Sequence, residues 1–378
     1  MARIIFSLSG EGRGHATRVR TLIEQLRGHH EITVLAPGDA FAFLAPLYER
    51  DSVCVRPMPG LRFRYRDSGH LDFLRTAAGA AGYLRGLPGL LDELEALLRR
   101  EAFDLAVTDF EPALPRAARR CGVPLLSVSH QHFLLTYDLR GLPRLLRWHA
   151  AYMRWIVRAY YSGQAHTIVS SFYFPPLRRR CRRVSQVGVL LRPELRRAAP
   201  VRGDYLVAYF RRYAPPHVLA ALATCGLPVR LYGLGERFAE GALTFHAISE
   251  QDFLEDLTGC AGLVATAGNQ LVGEALFLGK PCFVMPEDGN FEQHINAHFL
   301  AQSGAGRWRP FGEVNRAALL GFVRHLDALA ARIDRRRLDG LPAVLRVFEQ
   351  FLPAGGPVLA DRTLPSEAAG HLVPALTP

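Results

Sequence analysis

Lysine is almost absent from this 378-residue chain, although the chain is strongly basic. Lys280 is the single lysine among 46 basic residues, and the formal net charge is +11. A preference this strong for arginine is typical of a biased genome composition, so only the placement of the arginines bears on function. The charge by itself is compatible with an anionic partner such as phosphate, nucleic acid or acidic lipid.

Cysteine pairs and long apolar runs are also missing. The six cysteines stand singly, without a C-x-x-C pair or histidines at metal-ligand spacing, which argues against a zinc or redox motif and indicates small buried residues. Arg, Asp or His interrupts every apolar run before the roughly 20 residues that a membrane-spanning helix needs. Because no small-residue cleavage pattern follows the apolar run at residues 4–8, we expect a cytoplasmic protein.

Strand-like and helix-like segments alternate along two parts of the chain. The first part has helical patterns between apolar, β-branched runs at residues 3–8, 31–35, 105–108 and 125–129. The second part has a similar series of runs at residues 205–210, 229–232, 263–266 and 282–285. This alternation predicts an α/β protein with two Rossmann-like, doubly wound domains in tandem.

A segment rich in Arg, Ala and Pro at residues 192–203 separates the two series and predicts the linker. We therefore expect a first domain over residues 1–192 and a second over residues 203–330. Residues 316–351 have a helical pattern, and residues 331–352 are expected to form a C-terminal helix. Residues 353–378 are expected to form a loosely ordered tail.

A glycine-rich loop, Gly10 to His15, follows the first strand. Glycines let a backbone approach a ligand, and the N-terminus of the next helix favours negative charge. The spacing is G-x-G-x-G rather than G-x-G-x-x-G, and the second strand ends in Ala36-Pro37 without an acid for a ribose. Both features argue against a dinucleotide site.

His15 and Asp109 are the candidate catalytic pair. Both follow strands and are expected at the carboxyl edge of one sheet, where a carboxylate raises the basicity of an imidazole. Such a pair can deprotonate an acceptor hydroxyl. The alternatives are that His15 is an ordinary helix residue, and that Asp109 caps a helix starting near Pro112.

Residues 267–296 contain the strongest chemical pattern. Gly268, Asn269 and Gln270 form a turn between a strand and a helix, which is typical of a diphosphate site. Glu274 is a lone acid on that otherwise small and apolar helix, and it can accept hydrogen bonds from a ribose diol. The next strand ends in a polar loop, residues 286–297, that would reach sugar hydroxyls.

This pattern resembles the donor-binding region of inverting GT-B glycosyltransferases, and it is especially similar to the group containing the N-acetylglucosaminyltransferase that makes lipid II. The similar elements are a Gly-bearing turn, an acid on the following helix, Gly-Lys-Pro, a strand ending in Pro, and Gln-x-x-Asn-Ala. The resemblance implies a nucleotide-sugar cosubstrate bound in an interdomain cleft. It implies phosphate contacts at Gly268, Asn269 and Gln270, a ribose contact at Glu274, and sugar contacts at Glu292 and Gln293.

The glycine loop is similar to the acceptor-side loop of the same family, so the resemblance spans both domains. It implies an acceptor-binding first domain, a donor-binding second domain, and His15 with Asp109 as the base. The residues expected beside the acceptor are Glu11, Gly12 and Gly14.

One segment departs from the family pattern. Relatives often have a glycine-rich loop after the first strand of the second domain, where this chain has Arg211-Arg212-Tyr213. Arg211 or Arg212 is expected to pair with the diphosphate, with a solvated basic turn as the alternative. Phe245 or His246 is expected beside the base, which we take as that of a UDP-sugar. Because no D-x-D motif stands at a strand end, we expect transfer without a metal or other cofactor.

Two segments combine arginines with aromatic residues, at residues 61–91 and 142–161. This combination is typical of helices that lie on an anionic membrane surface, but ordinary helices with one face in the core have it as well. On the first interpretation, the acceptor is a lipid or a lipid-linked sugar at the inner face of the membrane. A soluble small-molecule acceptor is the alternative. No nucleic-acid motif is present, so we expect no nucleic-acid partner.

Two other functions are compatible with the same fold. A UDP-sugar 2-epimerase would need several carboxylates in the cleft, for which the candidates are Glu11, Asp109, Glu111, Glu287 and Asp288. A catalytically silent binding protein would not need both His15 and Asp109.

Overall fold

The computed structural model describes residues 1–10, 13–61, 73–160, 162–211 and 213–352. Within these ranges the strands form two sheets in which every pairing is parallel. The first sheet has the order β3-β2-β1-β4-β5-β6-β7. Its strands are β1 (Arg3–Leu8), β2 (Glu31–Ala36), β3 (Cys54–Pro57), β4 (Leu105–Asp109), β5 (Leu125–Ser129), β6 (His166–Ser170) and β7 (Val184–Val187).

The second sheet has the order β10-β9-β8-β11-β12-β13. Its strands are β8 (Leu206–Tyr209), β9 (Val229–Tyr232), β10 (Leu243–His246), β11 (Gly262–Ala265), β12 (Cys282–Val284) and β13 (Gly306–Trp308). Both sheets reverse their strand order at their middle, as doubly wound sheets do. The predicted pair of Rossmann-like units is confirmed.

Helices flank both sheets. Those of the first half are α1 (Arg13–Leu26), α2 (Gly38–Tyr48), α3 (Phe73–Glu101), α4 (Ala113–Cys121), α5 (Phe133–Thr136), α6 (Arg144–Ala159) and α7 (Pro193–Arg197). Those of the second half are α8 (Pro216–Ala223), α9 (Glu250–Gly259), α10 (Asn269–Phe277), α11 (Phe291–Ser303), α12 (Arg316–Val323), α13 (Leu326–Ala330) and α14 (Leu341–Glu349), with a 3₁₀ turn at Phe311–Glu313.

The central strands are buried on both faces, which explains their continuous apolar sequences. Ile4, Ile5 and Phe6 in β1 are all inaccessible to solvent. Ile4 and Phe6 pack in a cluster that includes α1 and α14, while Ile5 faces α3 and α4. A sheet covered by helices on both sides needs apolar residues at successive positions rather than at alternate ones.

Helix α14 returns to the first domain. Its buried residues Leu341, Val344 and Phe348 share a cluster with β1 and with Val187 of β7. Gly188, where the chain leaves the first domain, packs backbone against backbone on Gly340, where the chain returns to it. A Cβ on either glycine would overlap a carbonyl oxygen of the other segment. The outgoing linker and the returning segment therefore cross in close contact.

The C-terminal helix is shorter than predicted. The sequence predicts helix over residues 331–352, but residues 331–340 form turns and the crossing, and the helix starts at Leu341. The close approach at Gly340 requires an irregular backbone before the helix. The strands β3, β7, β10 and β13 were also missed, because they are three or four residues long and only partly buried. The strand β6, which is buried at four of its five residues, was missed as well. The predicted tail, residues 353–378, lies outside the described residues.

Candidate active site

The strand ends of the first sheet bring His15 and Asp109 together. Strands β1 and β4 pair with Leu8 opposite Asp109, and helix α1 begins at Arg13. Nδ1 of His15 lies 2.9 Å from Oδ1 of Asp109. The Asp109 side chain is 1% exposed, and that of His15 is 11% exposed. If Nδ1 carries the proton and donates it to Asp109, Nε2 is the nitrogen able to accept a proton.

Arg18 is a third member of this cluster that the sequence analysis missed. Its Nε donates to Oδ2 of Asp109 at 2.9 Å, and its Nη2 donates to Oδ1 at 2.8 Å. Nη2 also lies 3.1 Å from Nδ1 of His15. The helical spacing was an available signal, because residues three apart lie on the same face of a helix.

Arg18 keeps Asp109 ionised. Burial raises the pKa of this carboxyl, but the adjacent Arg18 guanidinium and His15 outweigh burial and hold the pKa below its ordinary value. The carboxylate is thus fixed by a bidentate arginine and remains negatively charged beside the imidazole.

Asp109 does not cap the following helix. Glu111 does so, because its carboxylate accepts from the N–H groups of Ala113 and Leu114 at 2.6 and 2.9 Å. Tyr83 donates to the same carboxylate at 3.3 Å. Burial raises the pKa of Glu111, although these hydrogen bonds oppose it. The Glu111 carboxylate therefore caps the start of α4. The 2-epimerase hypothesis counted on this carboxylate in the cleft, so it loses one of its candidates.

The first turns of α1 and α10 meet at the domain boundary. Gly268 is the N-cap of α10, and a Cβ on Gly14 of α1 would lie 3.7 Å from the Cβ of Gln270. The first N–H groups of a helix have no acceptor within it, and each helix N-terminus carries partial positive charge. Two such ends in contact favour binding of an anion.

The side chains of Asn269 and Gln270 contact the first domain instead of projecting as free ligands. Nδ2 of Asn269 donates to the carbonyl of Ser170 at 3.2 Å, and Oδ1 accepts from the N–H of Phe172 at 3.3 Å. Nε2 of Gln270 donates to the carbonyl of Leu190 at 2.8 Å. At this turn only the backbone N–H groups fit the predicted phosphate role.

Glu274 is paired with an arginine that the sequence analysis did not single out. Nε of Arg192 donates to Oε1 of Glu274 at 3.1 Å, and Nη2 donates to Oε2 at 2.6 Å. Gln270 donates a further hydrogen bond to Oε1 at 3.0 Å, and Glu274 is 1% exposed. Burial opposes the charge of Arg192, but Glu274 and Glu250 raise its pKa above the ordinary value. The ribose role of Glu274 stays a prediction.

Arg192 belongs to a chain of ion pairs that joins the two domains. Its Nη1 lies 3.4 Å from Glu250 at the start of α9. Glu250 also accepts two hydrogen bonds from Arg20 of α1, at 2.9 and 3.0 Å. Arg20 and His15 are on the same helix, so this chain connects the helix of the candidate base with the helix of Glu274.

Glu292 and Gln293 are adjacent in sequence but have different partners. Oε2 of Glu292 accepts from Gln131 of the first domain at 3.1 Å, and Oε1 lies 3.8 Å from His130. The Gln293 side chain bonds to the backbone N–H and the carboxylate of Glu287, at 2.8 and 3.0 Å. Glu292 therefore faces the first domain, whereas Gln293 supports the loop after β12. Their predicted sugar contacts stay predictions.

His130 bridges the domains and was missed by the sequence analysis. Its Nδ1 lies 3.1 Å from the carbonyl oxygen of Ser170, and its Nε2 lies 3.0 Å from Oδ1 of Asn296. Asn296 is held by a hydrogen bond to the carbonyl of Ala267 at 2.9 Å. Burial lowers the pKa of His130, although Glu292 opposes this effect. Its position directly after β5 was a signal for the same sheet edge.

The remaining predicted donor residues lie apart from these clusters. Phe245 is buried in the core of the second domain with Arg237 over its ring at 5.3 Å. His246 stacks on Tyr232 at 5.1 Å. Arg211 pairs with Asp39 of α2 at 3.2 Å. Glu11, Gly12 and Arg212 lie outside the described residues.

The two arginine-rich aromatic segments are only partly buried. Residues 62–72 of the first segment lie outside the described residues, and in its part of α3 Leu90 and Leu91 pack into the core whereas Leu84 is 62% exposed. Helix α6 buries Ala150 and Val157, but its other side, here called the α6 aromatic face, exposes Leu145, Trp148, Tyr152, Trp155 and Ile156. Exposed arginines flank this face, and α6 contains no acidic residue. No helix in the described ranges is long and apolar enough to cross a membrane.

No group of three or more His, Cys, Asp or Glu side chains within the described ranges could hold a metal ion.

Comparisons with known proteins identify other chains of this architecture. The profile of glycosyl transferase family 1 matches residues 2–327. An uncharacterized glycosyltransferase of Methanosarcina acetivorans is 23% identical over 384 residues, which cover 92% of this chain and 98% of that protein. LpCGTa in complex with UDP has a TM-score of 0.65 at 18% identity, with 93% of this chain and 99% of that chain covered. MurG of Acinetobacter baumannii has a TM-score of 0.59 at 14% identity, with 93% and 100% covered. The GT-B fold is confirmed, whereas the narrower grouping with the lipid II enzyme stays a prediction.

Proposed function

The chain belongs to glycosyl transferase family 1 and is a glycosyltransferase, and we propose that it transfers a sugar from a UDP-sugar to a hydroxyl of a lipid or lipid-linked acceptor. The observation that carries this proposal is the position of the His15–Asp109 pair beside the converging first turns of α1 and α10. A base for an acceptor hydroxyl and an anion site for a leaving diphosphate are the two parts that such a transfer needs. The solved relative that contains UDP supports the choice of nucleotide.

The proposed reaction is a direct displacement with inversion. The acceptor oxygen attacks the anomeric carbon on the face opposite the leaving group, and the bond from that carbon to the UDP oxygen breaks. The acceptor proton passes to Nε2 of His15, and the ionised Asp109 stabilises the imidazolium that forms. The negative charge that develops on the diphosphate meets the N–H groups at the start of α10, so no metal is needed.

The second domain supplies the remaining donor contacts in this proposal. Glu292 and Gln293 are positioned at the first turn of α11, within reach of the domain boundary. Glu274 accepts the ribose hydroxyls after exchange of its hydrogen bonds with Arg192. The donor would thus extend from the ribose at α10 to the sugar near α11, with the anomeric carbon towards His15.

The α6 aromatic face supports a lipid acceptor. Trp148 and Trp155 are 75% and 77% exposed, and together with Leu145, Tyr152 and Ile156 they form one stripe along the helix. Contiguous exposed apolar residues mark interaction surfaces, and arginines beside them favour anionic lipid headgroups. We infer that this face lies on an anionic membrane, which places the enzyme next to its acceptor.

The transfer itself is tested with UDP-glucose, UDP-galactose and UDP-N-acetylglucosamine, with octyl β-D-glucoside in mixed vesicles as the acceptor, in the presence of EDTA. We expect one UDP-sugar to raise the melting temperature, because a ligand that binds only the folded state stabilises it. We also expect release of UDP and a product of inverted anomeric configuration by NMR. A retained configuration, a requirement for metal, or isomerisation of the UDP-sugar without acceptor would contradict the proposal.

Membrane docking is tested by cosedimentation with anionic and neutral vesicles. We expect the Trp148→Ser, Trp155→Ser double variant to bind anionic vesicles about tenfold more weakly, because burial of each tryptophan contributes a favourable transfer free energy. Phe238→Ser is the matched control, since Phe238 is a fully exposed aromatic residue in the second domain. Equal vesicle binding by the wild type and the double variant would remove this surface from the proposal.

A further inference from the structure

The backbone at Phe110 has an unusual conformation directly beside the candidate base. Its φ of 54° lies in the left-handed region, which bulky side chains rarely occupy. The two other described non-glycine residues with positive φ are Ala102, directly after α3, and Arg183, directly before β7. Strained backbone of this kind persists where the surrounding structure enforces it, and it is concentrated at functional sites.

This conformation aligns the Phe110 ring with two other rings. The ring is nearly parallel to that of His15, with an interplanar angle of 13° and a centroid distance of 6.4 Å. On Tyr160 it stacks at 4.2 Å with an angle of 5°. Phe110 is only partly buried, so a flat aromatic surface adjoins the imidazole at the edge of the protein.

The residues on either side of Phe110 have partners of their own. Asp109 binds His15 and Arg18, and Glu111 caps α4. Both of these tasks use the carboxylates on either side, and neither of them involves the Phe110 ring. An acceptor hydroxyl must come within hydrogen-bond reach of Nε2 of His15, so the group that carries this hydroxyl has to lie against the surface next to the imidazole.

We propose that Phe110 and Tyr160 form an acceptor subsite that stacks against the ring carrying the reactive hydroxyl. This inference rests on the proposed function and narrows its substrate to cyclic acceptors. The C–H face of a sugar ring and the face of an aromatic ring are both flat and apolar. Either one can therefore pack on an aromatic side chain. An acyclic alcohol has no such face.

Tyr160 also connects this subsite with the α6 aromatic face. It directly follows the last residue of α6, and Trp155 stands five residues earlier. At a rise of about 1.5 Å per residue, this separation corresponds to roughly 8 Å along the helix. A lipid tail that follows α6 into the membrane would therefore leave its cyclic headgroup beside Phe110.

The experiment compares Phe110→Ala and Phe110→Tyr with the wild type, using the UDP-sugar that the enzyme turns over. The acceptors are 4-methylumbelliferone as an aromatic ring, octyl β-D-glucoside as a sugar ring, n-octanol as an acyclic alcohol, and water. We expect Phe110→Ala to lower kcat/KM for the preferred ring acceptor about tenfold, mainly through KM, since this corresponds to the upper range of an aromatic stacking contact. Turnover of octanol and hydrolysis of the donor should stay within about twofold. Phe110→Tyr should retain ring transfer.

Phe351→Ala is the matched control. Phe351 is also a partly buried phenylalanine of the first domain, and its ring lies 6.5 Å from the imidazole of His166 at the opposite edge of the sheet. This variant should leave the ratio of ring transfer to hydrolysis unchanged.

Two results overturn the subsite. If Phe110→Ala lowers hydrolysis and ring transfer by the same factor, the ring only supports His15; if it lowers neither, the ring has no part in acceptor binding. A wild type without turnover of any UDP-sugar would overturn the proposed function and this inference with it. Phe110→Ala should lower transfer more for one of the two ring acceptors, octyl β-D-glucoside or 4-methylumbelliferone. The acceptor with the larger loss indicates whether the natural acceptor presents a sugar ring or an aromatic ring.

Discussion

The candidate base in the first domain and the donor region in the second differ in what carries their chemistry. In the first domain, side chains from β4 and α1 assemble directly into the cluster of His15, Arg18 and Asp109. In the second domain, the side chains of Asn269 and Gln270 bind the opposite domain, so that in our proposal the backbone at the start of α10 holds the diphosphate. The comparison teaches that contacts within one sheet follow from which strand ends meet, whereas contacts across the domain boundary depend on how the two domains pack.

The largest effect on the transfer rate should come from the first-domain cluster of His15, Arg18 and Asp109. We expect His15→Ala to lower the transfer rate about a thousandfold, because a positioned general base contributes roughly 10²- to 10⁴-fold. UDP binding should stay unchanged, because the proposed diphosphate contacts are the backbone N–H groups at the start of α10. Steady-state kinetics and calorimetric titration with UDP measure the two quantities. A loss of UDP affinity equal to the loss of rate would show that the two sites are not separate in function.

A smaller effect on UDP affinity is expected at Glu274. Two variants distinguish its proposed ribose role from its ion pair with Arg192. We expect Glu274→Gln to weaken UDP binding about tenfold, the scale of one hydrogen bond to a charged group. Arg192→Met should leave UDP affinity within about twofold, although it breaks the same ion pair. Calorimetry with UDP on both variants decides between the roles. Equal weakening in both would assign Glu274 to the domain interface instead of the ribose.

Both of these variants should lower the melting temperature, because Arg192→Met leaves the buried Glu274 without its arginine and Glu274→Gln leaves Arg192 with Glu250 as its carboxylate partner. Loss of a partner from such a pair costs about 3–5 kcal/mol. The stability measurement is therefore the internal check that the pair was broken, and the affinity measurement reports on the ligand.

The smallest effect concerns the pH dependence of stability. The pKa of Asp109 is lower in the folded protein than in the unfolded chain, so its contribution to the free energy of unfolding is complete above the unfolded pKa of about 3.9. That contribution is lost as the pH falls through the folded pKa. We expect the difference in unfolding free energy between the wild type and Asp109→Asn to shrink as the pH falls below about 4.

Urea unfolding at several pH values measures this difference, with Asp92→Asn on the exposed surface of α3 as the control. A difference that stayed constant with pH would indicate that the carboxylate charge does not stabilise the cluster. In that case the stability of the first-domain site would come from packing alone.

The sequence predicted the His15–Asp109 contact because both residues follow strands, and neighbouring parallel strands end at one edge. Arg18 was within reach of the same reasoning, since it lies one turn after His15 on α1. Arg192 could not be predicted in this way, because it stands in the linker and contacts Glu274 only when the domains are packed together. Phe245 was expected beside the base, but its side chain is buried in the core of the second domain, and its role beside the base stays untested.

The sequence by itself determined the alternation of strands and helices, the two domains, and the helix start that fits a diphosphate. These features depend on local periodicity and on the backbone geometry of a strand, turn and helix. Only the tertiary structure decided the partners of the functional side chains, including Glu274 with Arg192 and His130 with Asn296. The partners in each of these pairs are at least 82 residues apart, and no local pattern encodes which surfaces the two domains press together.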